Sequence, residues 1–270
     1  MYDSGNEHNQ RILDQFTRQA VPFAMAPSHS TEESLRIFLN TVGVMPVDKV
    51  LDVACGPGII SCALASIAQE VTGFDLVPAM LEEARKRQNS MGLKNLEWKL
   101  GDAGRLPFDD GAFNLVITRY SFHHLLDPSA VLGEMARVCR PGGRVAVADV
   151  TPEEEKTKAY DELEITRDPS HTHALSFDQL KALGSQQGLQ LSNTGSYRLD
   201  NSVESLLAAS FPPPGNADRF RHMVRDDIGL DRLSISAYLK DDELRFSFPT
   251  SIVVWTKPAD RTLLEAEPEA

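Results

Sequence analysis

The spacing of apolar positions divides the chain into segments of two different periods. Between residues 49 and 150, short β-branched apolar runs alternate with segments whose apolar positions recur every three or four residues. This predicts strands at 49–54, 70–75, 96–101, 113–119 and 144–150, with helices at about 58–68, 78–91 and 128–139 between them. Such alternation, with short connections, implies a mostly parallel sheet covered on both faces. Upstream, Ile12, Leu13, Phe16 and Ala20 mark one face of a helix over 8–20, which Pro22 and Pro27 should interrupt. A second helix is signalled by Ser30 or Thr31 as cap, Glu33 in its first turn and the stripe Leu35, Phe38, Leu39. These helices either pack on the sheet edge or form a lid that bends near Phe23.

After Val150 the rhythm changes. An acidic helical segment, Pro152 to Arg167, leads through Asp168-Pro169-Ser170-His171-Thr172-His173 to a helix from Ser176 to about Gln187 and a strand at 189–199. A polar helical stretch broken by Pro212-Pro213-Pro214-Gly215 precedes the last strand, 244–256, which brings the strands read to seven. The expected layout is N-terminal helices or a lid over 1–47 and a core domain over 48–258. Inserts at about 151–175 and 200–243 should form a substrate cap, and 259–270 a disordered acidic tail.

Composition narrows the class of partner. With 270 residues and 41% hydrophobic content, the chain can bury one sizeable core. Its net charge of -12 argues against nucleic acid, which normally selects a basic footprint, and favours a small neutral or cationic ligand. Cys55, Cys62 and Cys139 lack the paired spacing of zinc sites, and the residues from Met1 to Arg11 lack the apolar core of a signal peptide. No apolar run approaches the roughly 18 residues of a membrane span. A cytoplasmic chain with no membrane span is expected; oligomeric state is left open.

The chemistry concentrates between Lys49 and Asp75, which reads as strand, glycine turn, helix and strand with a terminal acid. In a doubly wound sheet ligands lie outside the carboxyl ends of the strands, so every residue ending a strand is a candidate. Asp75 sits where an acid can accept hydrogen bonds from both hydroxyls of a ribose. Gly56-Pro57-Gly58-Ile59-Ile60-Ser61 lacks the third glycine of a dinucleotide fingerprint, which disfavours a pyrophosphate.

The set Asp52-Val53-Ala54-Cys55-Gly56-Pro57-Gly58, Gly73-Phe74-Asp75, Gly101-Asp102-Ala103 and Arg140-Pro141-Gly142-Gly143 resembles the class I S-adenosylmethionine-dependent methyltransferases. Within them it is most similar to the branch of ubiquinone/menaquinone C-methyltransferase-like enzymes, over about residues 48–150. The resemblance implies a Rossmann-like, doubly wound, seven-stranded sheet with an antiparallel last strand and helical caps, and S-adenosyl-L-methionine as cofactor. It implies that Ala54, Gly56 and Gly58 approach the methionine part, with Asp52 holding the turn from within the sheet. Asp75 would bind the ribose, Leu76 and Met80 would flank the adenine, and Asp102 and Ala103 would meet its amino group and ring edge. Arg119 would meet the amino acid part through its backbone. Ala54 departs from the family's frequent glycine and slightly narrows the site.

Methyl transfer needs an in-line nucleophile and sometimes a base. His123 and His124 directly follow strand four and are candidates for that base; Tyr120, with Tyr160, Arg167 and His171 of the insert, are candidates to contact substrate. His171-Thr172-His173 lacks a third ligand at motif spacing, and Asp200-Asn201 comes after strand six, so no metal is expected. Strand four ends Thr118-Arg119-Tyr120-Ser121 and not in the Asn/Asp-Pro-Pro-Tyr of amino-group DNA methyltransferases, and no Pro-Cys dipeptide offers a cytosine-attacking thiolate. The reading is therefore methyl transfer to a small-molecule acceptor by in-line displacement. An NAD(P)-dependent oxidoreductase, and a cofactor-binding regulator without transferase activity, stand as alternatives.

Overall fold

The computed structural model describes residues 4–25 and 32–259. Strands β1 (Lys49–Val53), β2 (Glu70–Asp75), β3 (Leu96–Leu100), β4 (Phe113–Arg119), β5 (Cys139–Val150), β6 (Gln190–Ser202), β7 (Tyr238–Lys240) and β8 (Glu243–Thr256) form one sheet of order 3-2-1-4-5-8-6, with β7 paired to β8. The pairs among β1 to β5 are parallel, and β8 runs antiparallel between β5 and β6. β1 and β4 are buried almost throughout because helices cover both faces, which is why Val50, Leu51, Val53, Leu115, Val116 and Ile117 form near-continuous apolar runs.

The described helices are α1 (Ser4–Met25), α2 (Glu32–Val42), α3 (Ile59–Ala65), α4 (Pro78–Met91), α5 (Pro128–Val138), α6 (Thr157–Arg167), α7 (Phe177–Gln186), α8 (Val203–Ser210) and α9 (Asn216–Asp226). One apolar layer joins Leu51, Val53, Val116, Met135, Leu180 and Trp255; the opposite layer joins Phe38, Val50, Leu64, Ile117 and Val254. A third cluster, with Tyr160, Leu163, Leu199, Leu206, Phe220 and Phe246, builds a lobe from both late inserts beyond the end of β5.

Several boundaries differ from expectation. α1 continues through Pro22 to Met25, although proline removes a backbone donor there at a cost of about 3 kcal/mol. Its stripe Ile12, Leu13, Phe16, Ala20 and Phe23 packs with Val77 and Met80, and Arg87 donates to the Ala24 carbonyl at 2.8 Å, which holds the last turn. Pro27 and the expected cap at Ser30 or Thr31 lie outside the described residues, as do residues 260–270 of the expected tail. α2 instead lies on the sheet, with Asn193 donating to the Thr41 carbonyl at 2.9 Å. β5 begins at Cys139, before the Arg140-Pro141-Gly142-Gly143 turn, which is absorbed as a register shift against β4. β7 is an eighth strand that the pattern did not signal, because it is three residues long and largely exposed. Asp241 and Asp242, with φ of 50° and 64°, make the tight turn that folds it onto β8.

The strand order places the switch point between β1 and β4, whose crossovers leave in opposite directions and open a crevice at their carboxyl ends. The turn after β1 fits that crevice only through left-handed backbone at Ala54, Gly56 and Gly58, with φ of 54°, 52° and 72°. A side chain on Gly56 would meet nothing within 4 Å, whereas one on Gly58 would stand 2.6 Å from Trp98 of β3 and 3.0 Å from Ala84 of α4. Gly58→Ala therefore combines left-handed strain with overpacking and should destabilise the chain by about 2–4 kcal/mol in urea unfolding. An unchanged midpoint would show that Trp98 does not close on this turn.

Candidate active site

A cavity of about 140 Å³ lies at the carboxyl ends of β1, β2 and β4. Asp75, the last residue of β2, is buried beneath it: its Oδ2 accepts the Gly56 N–H at 2.7 Å and its Oδ1 the Val77 N–H at 2.8 Å. One carboxylate thus ties the β1 turn to the start of α4. Burial pushes Asp75 up to about 6, against the pull of those N–H donors. Asp52, on β1, accepts the Ser61 hydroxyl at 2.5 Å and is pushed up to about 7, by burial first and also by the nearby charge of Asp75. Ser61 pulls in the opposite direction. The cavity therefore holds two desolvated acids among apolar walls that include Leu76, Met80 and Ala103, an arrangement suited to hydroxyl donors or a cation.

Of the residues that the sequence marks for a cofactor, Ala54, Gly56, Asp75, Leu76, Met80, Asp102, Ala103 and Arg119 line this one cavity. Gly58 does not; a Cβ there would run into Trp98 and Ala84, so the glycine serves turn geometry and packing. The Arg119 guanidinium is buried and lies 4.5 Å from the Tyr120 ring centroid, so its side chain as well as its backbone belongs to the site. Asp102 stands at the rim, where Oδ2 accepts from Asn9 at 2.6 Å and Oδ1 accepts the Gly104 N–H at 2.8 Å. Asp52 was expected to hold the turn from within the sheet and in fact also lines the cavity. Asn9, Ile12, Phe16 and Phe23 of α1, with Ser121 and Leu125 after β4, complete the wall. The stripe of α1 was visible in the sequence, where a lid was one of the two alternatives for it.

A second cavity, of about 70 Å³, adjoins the first and shares Phe16, Phe23, Tyr120 and His124 with it. It contains Tyr120, Tyr160, Arg167, His123 and His124 together, drawn from the β4 turn and from α6. Tyr120 adopts left-handed backbone, φ 58°, which turns it back between the two spaces, and its hydroxyl is 2.6 Å from that of Tyr197. His171 does not line either cavity. Its Nε2 pairs with Asp161 at 2.7 Å, and its ring lies behind Tyr160 and His123, at centroid distances of 6.2 and 5.6 Å. His173 pairs with the same carboxylate at 2.6 Å. Sequence reasoning missed Gln19, Glu164, Asp168 and Ser210 on this wall, since none falls in a motif. Arg167 is paired with Glu164 and donates to the Ser210 hydroxyl at 2.9 Å.

The histidine pair separates into two environments. Asp149, in β5, accepts from His123 Nδ1 at 2.5 Å. Burial alone would push the His123 imidazole down, but the charge and hydrogen bond of Asp149 outweigh it and the net direction is upward. Asp149 is itself held below the usual carboxylate range: burial would raise it, and His123 overrides that. His124 is pushed down to about 3, by burial and then by the charge of His123, so its ring is neutral at physiological pH. It stands edge-on to Phe16 at 4.9 Å between centroids, with Nδ1 3.1 Å from the Ser170 hydroxyl.

Residues 51–147 match the methyltransferase domain family. The uncharacterized methyltransferase YcgJ of Bacillus subtilis is 27% identical over 211 residues, 77% of this chain and 82% of its own length. The uncharacterized protein YafE of Escherichia coli is 32% identical over 153 residues, 56% of this chain and 74% of its own length. The ubiquinone/menaquinone biosynthesis C-methyltransferase UbiE of Desulfotalea psychrophila is 41% identical over 119 residues, but that match spans 43% of this chain and 47% of that enzyme. The crystal structure of the YcgJ protein shares the fold, with a TM-score of 0.77 at 24% identity over 84% of this chain and 99% of that one. The chain belongs to the methyltransferase domain family and is an S-adenosylmethionine-dependent methyltransferase of class I fold, which sets aside the dinucleotide oxidoreductase reading.

Proposed function

We propose that the cavity around Asp75 holds S-adenosyl-L-methionine and that the adjoining cavity holds a small-molecule acceptor. The observation that carries this reading is the shared wall of Phe16, Phe23, Tyr120 and His124, across which two ligands can meet at the switch point of the sheet. Asp75 has lone pairs beyond those used by Gly56 and Val77 and is suited to the ribose hydroxyls. Leu76, Met80 and Ala103 supply apolar surface for the adenine, and Asp102 lies beside them for its polar edge. Ala54, Gly56 and Arg119 surround the other end, where a carboxylate and an ammonium group must be received. When bound, the cofactor supplies an electrophilic methyl group on a positively charged sulfur.

Enclosure supports a small acceptor. α1 closes over both spaces, pinned by polar contacts: His8 to the His124 carbonyl at 2.6 Å, Asn9 to Asp102 at 2.6 Å, and Gln19 to the Ser210 carbonyl at 3.2 Å. Each pin can be exchanged for water at a net cost of about 1 kcal/mol, so α1 is built to open. α6 and α8, from the two late inserts, close the far side of the second cavity. No described helix is long and apolar enough to cross a membrane.

Titration calorimetry should show binding of S-adenosylhomocysteine, weakened about 10- to 100-fold in Asp75→Ala, the range for lost hydrogen bonds to a charged group. No binding to the unaltered chain would end this assignment of the cavity. The pH dependence follows from the two raised carboxyls. Their contribution to ligand-free stability is fully present below 3.8 and is lost as pH rises through about 6 and about 7. A cationic ligand favours the ionised pair, so its binding strengthens over the same interval. The rise in thermal midpoint caused by S-adenosylmethionine should therefore be larger at about pH 7.5 than at about pH 5.5, and that difference should shrink in Asp52→Asn. Equal rises at both pH values in the unaltered chain would contradict the electrostatic account.

A further inference from the structure

Asp149 uses both of its oxygens to set one imidazole. Oδ2 accepts the Phe122 N–H at 2.6 Å and the His123 N–H at 3.3 Å, while Oδ1 accepts the Val150 N–H at 2.7 Å and His123 Nδ1 at 2.5 Å. The backbone of the β4 turn and its ring are thus held by one carboxylate, which selects the Nδ1–H tautomer and leaves Nε2 as the basic nitrogen. His123 lines the second cavity, and no described residue hydrogen-bonds to its Nε2. The Tyr160 hydroxyl, on α6 in the same cavity, likewise has no hydrogen-bond partner among the described residues, although the side chain is buried. The hydroxyl oxygen itself keeps accessible surface and is open to a ligand in the cavity.

The other charged groups facing His123 cluster together, two carboxylates against one guanidinium. Glu164 and Arg167 of α6 form an ion pair, and Arg167 also lies 3.9 Å from Asp168. His124 packs at 4.2 Å between centroids and is held neutral, and His171 stands behind at 5.6 Å, tied to Asp161. The cavity thus presents an imidazole nitrogen and a hydroxyl that are both open to a ligand, with apolar walls from Phe16, Val150, Leu206 and Phe248.

We propose that the acceptor carries an acidic hydroxyl, that of a phenol or an enol, whose proton is taken by His123 Nε2 while the Tyr160 hydroxyl donates to the same oxygen. This rests on the second cavity being the acceptor site. The O–H bond breaks, its electron pair stays on oxygen, and the proton passes to Nε2, leaving an oxyanion against an imidazolium that Asp149 stabilises. His123 is then a catalytic residue and Asp149 a positioning residue.

The test uses para-nitrophenol with the full chain and no cofactor, read by visible absorbance, because the phenolate alone absorbs strongly there. The bound probe should ionise about one pH unit below its value in water, a tenfold shift in its proton equilibrium. His123→Asn should abolish that shift. Tyr160→Phe, which removes only an oxygen, should weaken phenolate binding about tenfold with the same unfolding midpoint. Asp149→Asn should move the pH at which the bound probe ionises. Binding only as the neutral phenol, failure of the probe to bind, or a phenolate signal that survives His123→Asn overturns the proposal. S-adenosylhomocysteine calorimetry on the same sample separates the two failures: its binding with no phenolate signal removes only the acceptor class, and its absence removes the transferase site.

Discussion

Two carboxyls buried at the carboxyl end of the sheet are the constraint on which the site depends. Asp52 and Asp75 are both almost inaccessible, and taking an acid out of water costs several kcal/mol unless donors meet it. The fold meets that cost locally, through the N–H groups of Gly56 and Val77 and the hydroxyl of Ser61. The left-handed turn after β1 exists to bring the Gly56 N–H there, and Gly58 lets Trp98 and Ala84 close behind it. What remains is a strained, partly protonated pair that a cationic, hydroxyl-rich ligand would stabilise. The same residues that hold the turn therefore set the preference of the cavity.

The second dependence lies one strand away. β4 ends in Arg119 and the left-handed Tyr120, and the chain then makes the short 3-10 turn Phe122–His124. Asp149, from the neighbouring β5, fixes that turn from beneath. Two adjacent histidines consequently face different surroundings: one is paired with a carboxylate, and the other is wedged against Phe16 with its charge suppressed. Backbone geometry, more than residue type, assigns them different chemistry.

The alternation of strands and helices from Lys49 to Val150 was legible because each strand is buried on both faces and shows as a continuous apolar run. Asp75 was legible because an acid ending the second strand has a geometric purpose in such a sheet. Other parts were not. Pro22 signals a break, yet α1 passes through it because tertiary packing on Val77 and Met80 outweighs one lost hydrogen bond. The division between His123 and His124 depends on Asp149, 26 residues later in the chain, and no local pattern carries it. Gly58 was read as a ligand contact, but the Trp98 that claims its surface lies on β3, out of reach of any turn motif. β7 was too short and too polar to register.

The central claim is that two cavities meet at one wall, with the cofactor on the Asp75 side and the acceptor on the His123 side. The most direct measurement is a crystal structure of the chain with S-adenosylhomocysteine. The account predicts the ribose hydroxyls on Asp75, the adenine against Met80 and Ala103, and the sulfur directed toward Tyr120 and His124 with the second cavity open beyond it. Density for the ligand elsewhere, or a sulfur directed away from that wall, would contradict it.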